Sequence, residues 1–120
     1  MKRKNKILLV ESDPKLSVEI CRALKNSGYE ITDAVPFIYN VIHSIVIQKP
    51  DILMIDIVIT EQMADFISNC IKLPLILISD QYEKEIYTYS DKLRILTIIP
   101  KPFNVSEIKT PVAIAFNKLY

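Results

Sequence analysis

Residues 6–14 read KILLVESDP. Four apolar side chains, Ile7 to Val10, stop abruptly at Glu11, and Asp13-Pro14 follow two residues on. A short, unbroken apolar run bounded by charge suits a strand buried on both faces. An aspartate followed by proline suits a helix N-cap with proline at the first helical position. These nine residues therefore predict one strand-to-helix unit. Between its halves, Glu11-Ser12-Asp13 reads either as half of a metal site or as a turn with a helix cap.

The unit recurs along the chain. Apolar runs at residues 52–55, 75–78 and 95–99 repeat the strand pattern, and residues 30–34 form a weaker run suited to a sheet edge. Helical periodicity fills the gaps. Leu16, Ile20, Ala23 and Leu24 share one face, and Gly28 stands where a helix often ends on glycine. A second helix is predicted from near Pro36 to before Pro50, with Ile38, Val41, Ile42 and Ile45 inward. A third covers residues 62–71 with Phe66, Ile67 and Cys70, and a short polar fourth covers 83–91. The last spans 105–120, with Ile108, Val112, Phe116 and Leu119 inward; Pro111 within it predicts a kink or a late start. Alternating strands and helices imply an α/β fold, a (βα)5 doubly wound five-stranded parallel sheet, in one domain over residues 1–120.

Composition narrows the functions. Lysine and arginine number 15 against 14 acidic residues, so no basic field points to nucleic acid. Every apolar stretch is far shorter than the roughly 20 residues that cross a bilayer. The opening MKRKNKILLV is too short in its apolar part for a signal peptide, so a cytoplasmic location is expected. One glycine against seven prolines excludes glycine-rich phosphate loops. Cys21 and Cys70 are expected to be small buried apolar residues rather than a disulfide or metal pair. His43, the sole histidine, falls on the second helix, away from the strand ends.

In a doubly wound sheet the ligand crevice lies beyond the carboxyl ends of the strands. The residues just past the apolar runs are Glu11, Ser12 and Asp13, then Asp56, then Ser79 and Asp80, then Lys101. Asp56 sits in DILMIDIVIT, where a carboxylate is costly unless partnered. Lys101 precedes Pro102, which constrains the peptide and allows it to be cis. One edge of the sheet thus gathers acids, a hydroxyl and an ammonium.

KILLVESDP, PDILMIDI, LPLILIS and KPF, at these spacings, resemble the receiver domains of two-component response regulators, a flavodoxin-like family, over essentially the whole chain. The resemblance implies that Asp56 is the phosphoacceptor, served by a histidine kinase or a phosphotransfer protein. Lys101 would pair with the phosphoryl oxygens, and Ser79 would be the hydroxyl that switches toward them. Magnesium would be held by Glu11, Asp56 and the backbone carbonyl of Val58, with Ser12 a weak or water-mediated ligand. The fourth helix, fifth strand and fifth helix would form the partner face, homodimerisation included. No nucleic acid or membrane is expected as a partner of this domain. Nor is enzyme activity, beyond self-phosphorylation and autodephosphorylation of Asp56.

Several positions depart from that pattern. Ser12 replaces the second acid of the metal pair, which weakens magnesium binding. Asp80 stands where the family has a small residue; it either crowds Asp56 or supplies the missing carboxylate. Ile98 takes the place of the aromatic switch residue. Thr60 and Ala64 replace a proline and a glycine after Asp56, and Arg94-Ile95 replaces a Gly-Ala pair. Two readings follow: a phosphorylatable receiver, or a pseudo-receiver that binds proteins without phosphorylation. A phosphatase of related fold would need a second acid two residues after its nucleophile, and Val58 occupies that position.

Overall fold

A computed structural model describes residues 3–119. Five parallel strands form one sheet in the order β2-β1-β3-β4-β5. They are β1 (Lys6–Val10), β2 (Glu30–Val35), β3 (Ile52–Asp56), β4 (Leu75–Ser79) and β5 (Ile95–Pro100). The helices between them are α1 (Pro14–Asn26), α2 (Val41–Gln48), α3 (Glu61–Phe66), α4 (Glu83–Tyr87) and α5 (Lys109–Asn117). This order is the flavodoxin-like doubly wound arrangement expected from the strand-to-helix repeat.

Alternation along each strand splits the core in two. Ile7, Leu9, Ile52, Met54, Ile76 and Ile78 pack with Ile20 and Leu24 of α1 and Val112 and Phe116 of α5. Leu8, Val10, Leu53, Ile55, Leu75 and Leu77 pack on the other face with Val41, Ala64, Ile67 and Ile86. The central strands are buried on both sides because helices cover both, which is why their sequences are continuously apolar. Each fully buried Leu or Ile contributes roughly 1.5–3 kcal/mol. The edge strand β2 is half exposed, matching its weaker run.

Asp13 caps α1, its side chain accepting from the N–H groups of Lys15 at 3.0 Å and Leu16 at 3.4 Å. At the other end Gly28 takes φ +93°, a conformation that side-chain-bearing residues rarely adopt. Asp13→Ala is expected to lower stability by about 1 kcal/mol in urea unfolding. The bond from the Asp13 N–H to Glu11 Oε2, 3.1 Å, uses the backbone donor of Asp13 and survives the change.

The helix boundaries differ from the periodic reading in four places. Helix α4 ends at Tyr87 rather than residue 91, because the N–H groups of Thr88, Tyr89 and Ser90 bond carbonyls three residues back instead of four. The segment after Pro36 enters through a tight turn, Ile38–Asn40, and α2 begins at Val41. Its buried positions are Val41 and Ser44, while Ile42 is exposed. After α3 the chain widens into a π-helical turn, Ile67–Ile71, where the Lys72 N–H bonds the Ile67 carbonyl five residues back. Ile71 therefore takes the core position and Cys70 is exposed; Cys21 is half-buried, so neither cysteine is the fully buried residue expected. The last helix starts late. Residues Val105–Glu107 make a separate turn, and Pro111 lies in the first turn of α5, where its missing N–H has no partner to lose. Tyr120, included in the expected helix, lies outside the described residues.

Candidate functional site

The chain winds from β1 out to β2, then returns past β1 to β3, β4 and β5. The connections leaving β1 and β3 thus diverge to opposite faces and open a crevice at their carboxyl ends. Glu11 lies one residue past β1, and Asp56 is the last residue of β3. Register places Asp56 beside Ile78 and Ser79 beside Pro100, so the ends of β3, β4 and β5 are level. The Lys101 N–H bonds the Ser79 carbonyl at 3.0 Å, continuing that alignment one residue further. The Lys101-Pro102 peptide is cis.

The Lys101 ammonium and the Asp56 carboxylate form a direct ion pair. The Asp56 side chain is 10% exposed and that of Lys101 36%. The carboxylate is therefore screened but reachable, with its cation on the solvent side. Glu11 is deeper, at 5% exposure. Burial, first, and a hydrogen bond with Asp56, second, push its carboxyl up to about 7; the Asp13 N–H and the Lys101 charge oppose them. When Glu11 is ionised, its buried Oε1 has no donor. A cation at the crevice would satisfy that orphaned oxygen, so the carboxylate pair fits a small divalent ion.

Glu11 has a consequence for stability. The native carboxyl holds its proton to about 7, whereas the unfolded one releases it near 4.5. The native state binds more protons between those values, so stability falls as pH rises through that window. With chelator present, the loss from pH 5 to pH 8 is expected to be on the order of 1–3 kcal/mol. Glu11→Gln should flatten the profile; urea unfolding at the two pH values reads it.

The other candidate residues are placed as follows. Ser12 and Asp13 are exposed, and Asp13 is committed to capping α1. Val58 is exposed on the connection after β3. Asp80 is exposed and lines a surface depression with Leu16, Lys101, Pro102 and Phe103. No group of three or more His, Cys, Asp or Glu side chains suited to a metal occurs among the described residues. His43 is exposed on α2. Ile98 packs against the core on the face of α2, α3 and α4.

Ser79 is 3% exposed, and its hydroxyl is held by a residue the sequence did not single out. The Gln81 N–H donates to Ser79 Oγ at 3.0 Å, and Ser79 Oγ donates to Gln81 Oε1 at 3.3 Å. Gln81 also grips Ile59 on both sides. Its Oε1 accepts from the Ile59 N–H at 2.8 Å, and its Nε2 donates to the Ile59 carbonyl at 3.1 Å. Nothing in the local sequence marks this glutamine, because its partners lie 22 residues away.

No family model and no curated protein matches the sequence. Solved structures do match the fold along nearly its whole length. A response regulator from Thermotoga maritima aligns with a TM-score of 0.77 at 14% identity, over 95% of this chain and 98% of that one. The non-phosphorylated HemR receiver domain of Leptospira biflexa gives 0.74 at 20% identity, over 94% of each chain. The signal receiver domain of a modulated diguanylate cyclase from Desulfovibrio desulfuricans gives 0.73 at 19%, over 96% and 95%. The chain has the fold of response-regulator receiver domains.

Proposed function

We propose that this domain is a two-component receiver that accepts a phosphoryl group on Asp56 and switches protein contacts in response. The observation that carries the reading is the ion pair of Asp56 and Lys101 at the crevice, beside the buried carboxyl of Glu11. An Asp56 oxygen attacks phosphorus, and the bond from phosphorus to the donor's imidazole nitrogen breaks with its electron pair passing to nitrogen. Lys101 then exchanges its carboxylate partner for the phosphoryl oxygens and offsets their charge. Glu11 and Asp56, with the Val58 carbonyl and Ser12 through water, would hold magnesium, and Asp80 is the candidate substitute acid. Magnesium, when bound, neutralises charge on the transferring oxygens. The donor is a histidine kinase or phosphotransfer protein, met in the cytoplasm. The output is protein contact on the face of α4, β5 and α5, homodimerisation included. The chemistry ends at self-phosphorylation and autodephosphorylation of Asp56.

A second reading, a pseudo-receiver that binds partners without phosphorylation, is favoured by one observation. With Ser12 in place of an acid, the buried and part-buried carboxylates at the crevice among the described residues are those of Glu11 and Asp56. Mass spectrometry after acetyl phosphate and magnesium, on wild type and Asp56→Asn, separates the two readings.

A further inference from the structure

Gln81 forms the turn between β4 and α4 and spends every polar group of its side chain on two partners. Its amide orientation is fixed by chemistry: the oxygen must face the Ile59 N–H, and the NH2 must face the Ile59 carbonyl. Ile59 is three residues past Asp56, and its side chain is buried in the core on the α2, α3 and α4 face. Gln81 therefore ties the loop that follows Asp56 to the loop that follows Ser79. Helix α4 begins just beyond, at Glu83, with no side-chain cap on its first turn. The position of that first turn depends on the same loop.

The Ser79 hydroxyl has a single proton, which it gives to Gln81 Oε1. To donate to a phosphoryl oxygen on Asp56, Ser79 must take that proton from Gln81. A hydroxyl accepts as well as donates, so the bond from the Gln81 N–H does not itself tie up that proton. We propose that Gln81 is a latch: it holds the Ser79 hydroxyl and the Ile59 backbone together in the unphosphorylated domain and is released by the phosphoryl group. It is a positioning residue that acts through Ser79, and it rests on the reading of Asp56 as phosphoacceptor. Release leaves Gln81 held to Ile59 alone, which loosens the join between the Asp56 loop and the start of α4 and carries the signal to α3 and α4. Ile98 in β5 offers no ring to turn inward, so the latch supplies a route that β5 lacks.

Beryllofluoride with tens of millimolar magnesium serves as the phosphoryl mimic, and calorimetry reads its affinity. Gln81→Met keeps the stem and removes the three side-chain hydrogen bonds; the bond from the Gln81 backbone N–H to Ser79 Oγ stays. It is expected to bind the mimic about five-fold tighter than wild type, the equivalent of about one net hydrogen bond. Combined with Ser79→Ala, the same change should shift affinity less than two-fold relative to Ser79→Ala alone. Amide exchange at Ile59 should quicken in Gln81→Met. Unchanged affinity in Gln81→Met, or an equal shift in both Ser79 backgrounds, overturns the latch while leaving the phosphoacceptor reading in place. Binding by Gln81→Met but not by wild type supports the latch. Binding by neither overturns the phosphoacceptor reading, and the latch's switching role with it.

Discussion

Acetyl phosphate with magnesium is expected to add one phosphoryl group to the wild-type chain and none to Asp56→Asn. The loss should be complete rather than partial. Asparagine keeps the size of the side chain, but its amide has no anionic oxygen to attack phosphorus. It also breaks the ion pair, leaving Lys101 without its carboxylate partner. The fold should survive, because Asp56 is at the end of β3 and the apolar core lies behind it. Intact mass spectrometry reads the phosphoryl group directly, and circular dichroism confirms that the variant is folded. Absence of any mass increase in wild type, together with no magnesium binding at tens of millimolar, would establish the pseudo-receiver reading instead.

Ser12→Asp is expected to tighten magnesium binding about 10- to 100-fold. Two opposite unit charges about 4 Å apart attract by roughly 4 kcal/mol at a surface-like dielectric, before desolvation. Ser12 is exposed, so water and salt reduce that gain to about 1.4–2.8 kcal/mol. Asp13 is unavailable for the same task, because its carboxylate caps α1. The chain has no tryptophan, so calorimetry is the suitable readout. Unchanged affinity would mean that Asp80, beside Lys101 in the surface depression, already supplies the second carboxylate.

The sheet was legible in the sequence because burial on both faces leaves a plain mark. Ile7 to Val10 and Leu75 to Ile78 have no room for a polar side chain, since a helix lies over each face. The helix start at Asp13-Pro14 was legible for a local reason: the cap bonds reach only two and three residues ahead. The inner faces of short helices were less so. Ile42 and Cys70 fit a periodic stripe, yet the entry turn before α2 and the π-turn after α3 rotate them outward.

The sequence by itself determined the parallel α/β sheet and which residues stand at its carboxyl edge: Glu11, Asp56, Ser79 and Lys101. Strand ends are set by where apolar runs stop, and that is a property of neighbouring residues. Only the tertiary structure decided how those side chains are engaged. It sinks Glu11 below Asp56, so that burial raises its carboxyl and leaves one oxygen without a donor. It turns Asp80 to the surface and pairs Lys101 with Asp56. It also gives the Ser79 proton to Gln81, whose second partner, Ile59, comes from another loop. Desolvation and hydrogen-bond partnership depend on groups far apart in the chain, and only the folded packing brings them together.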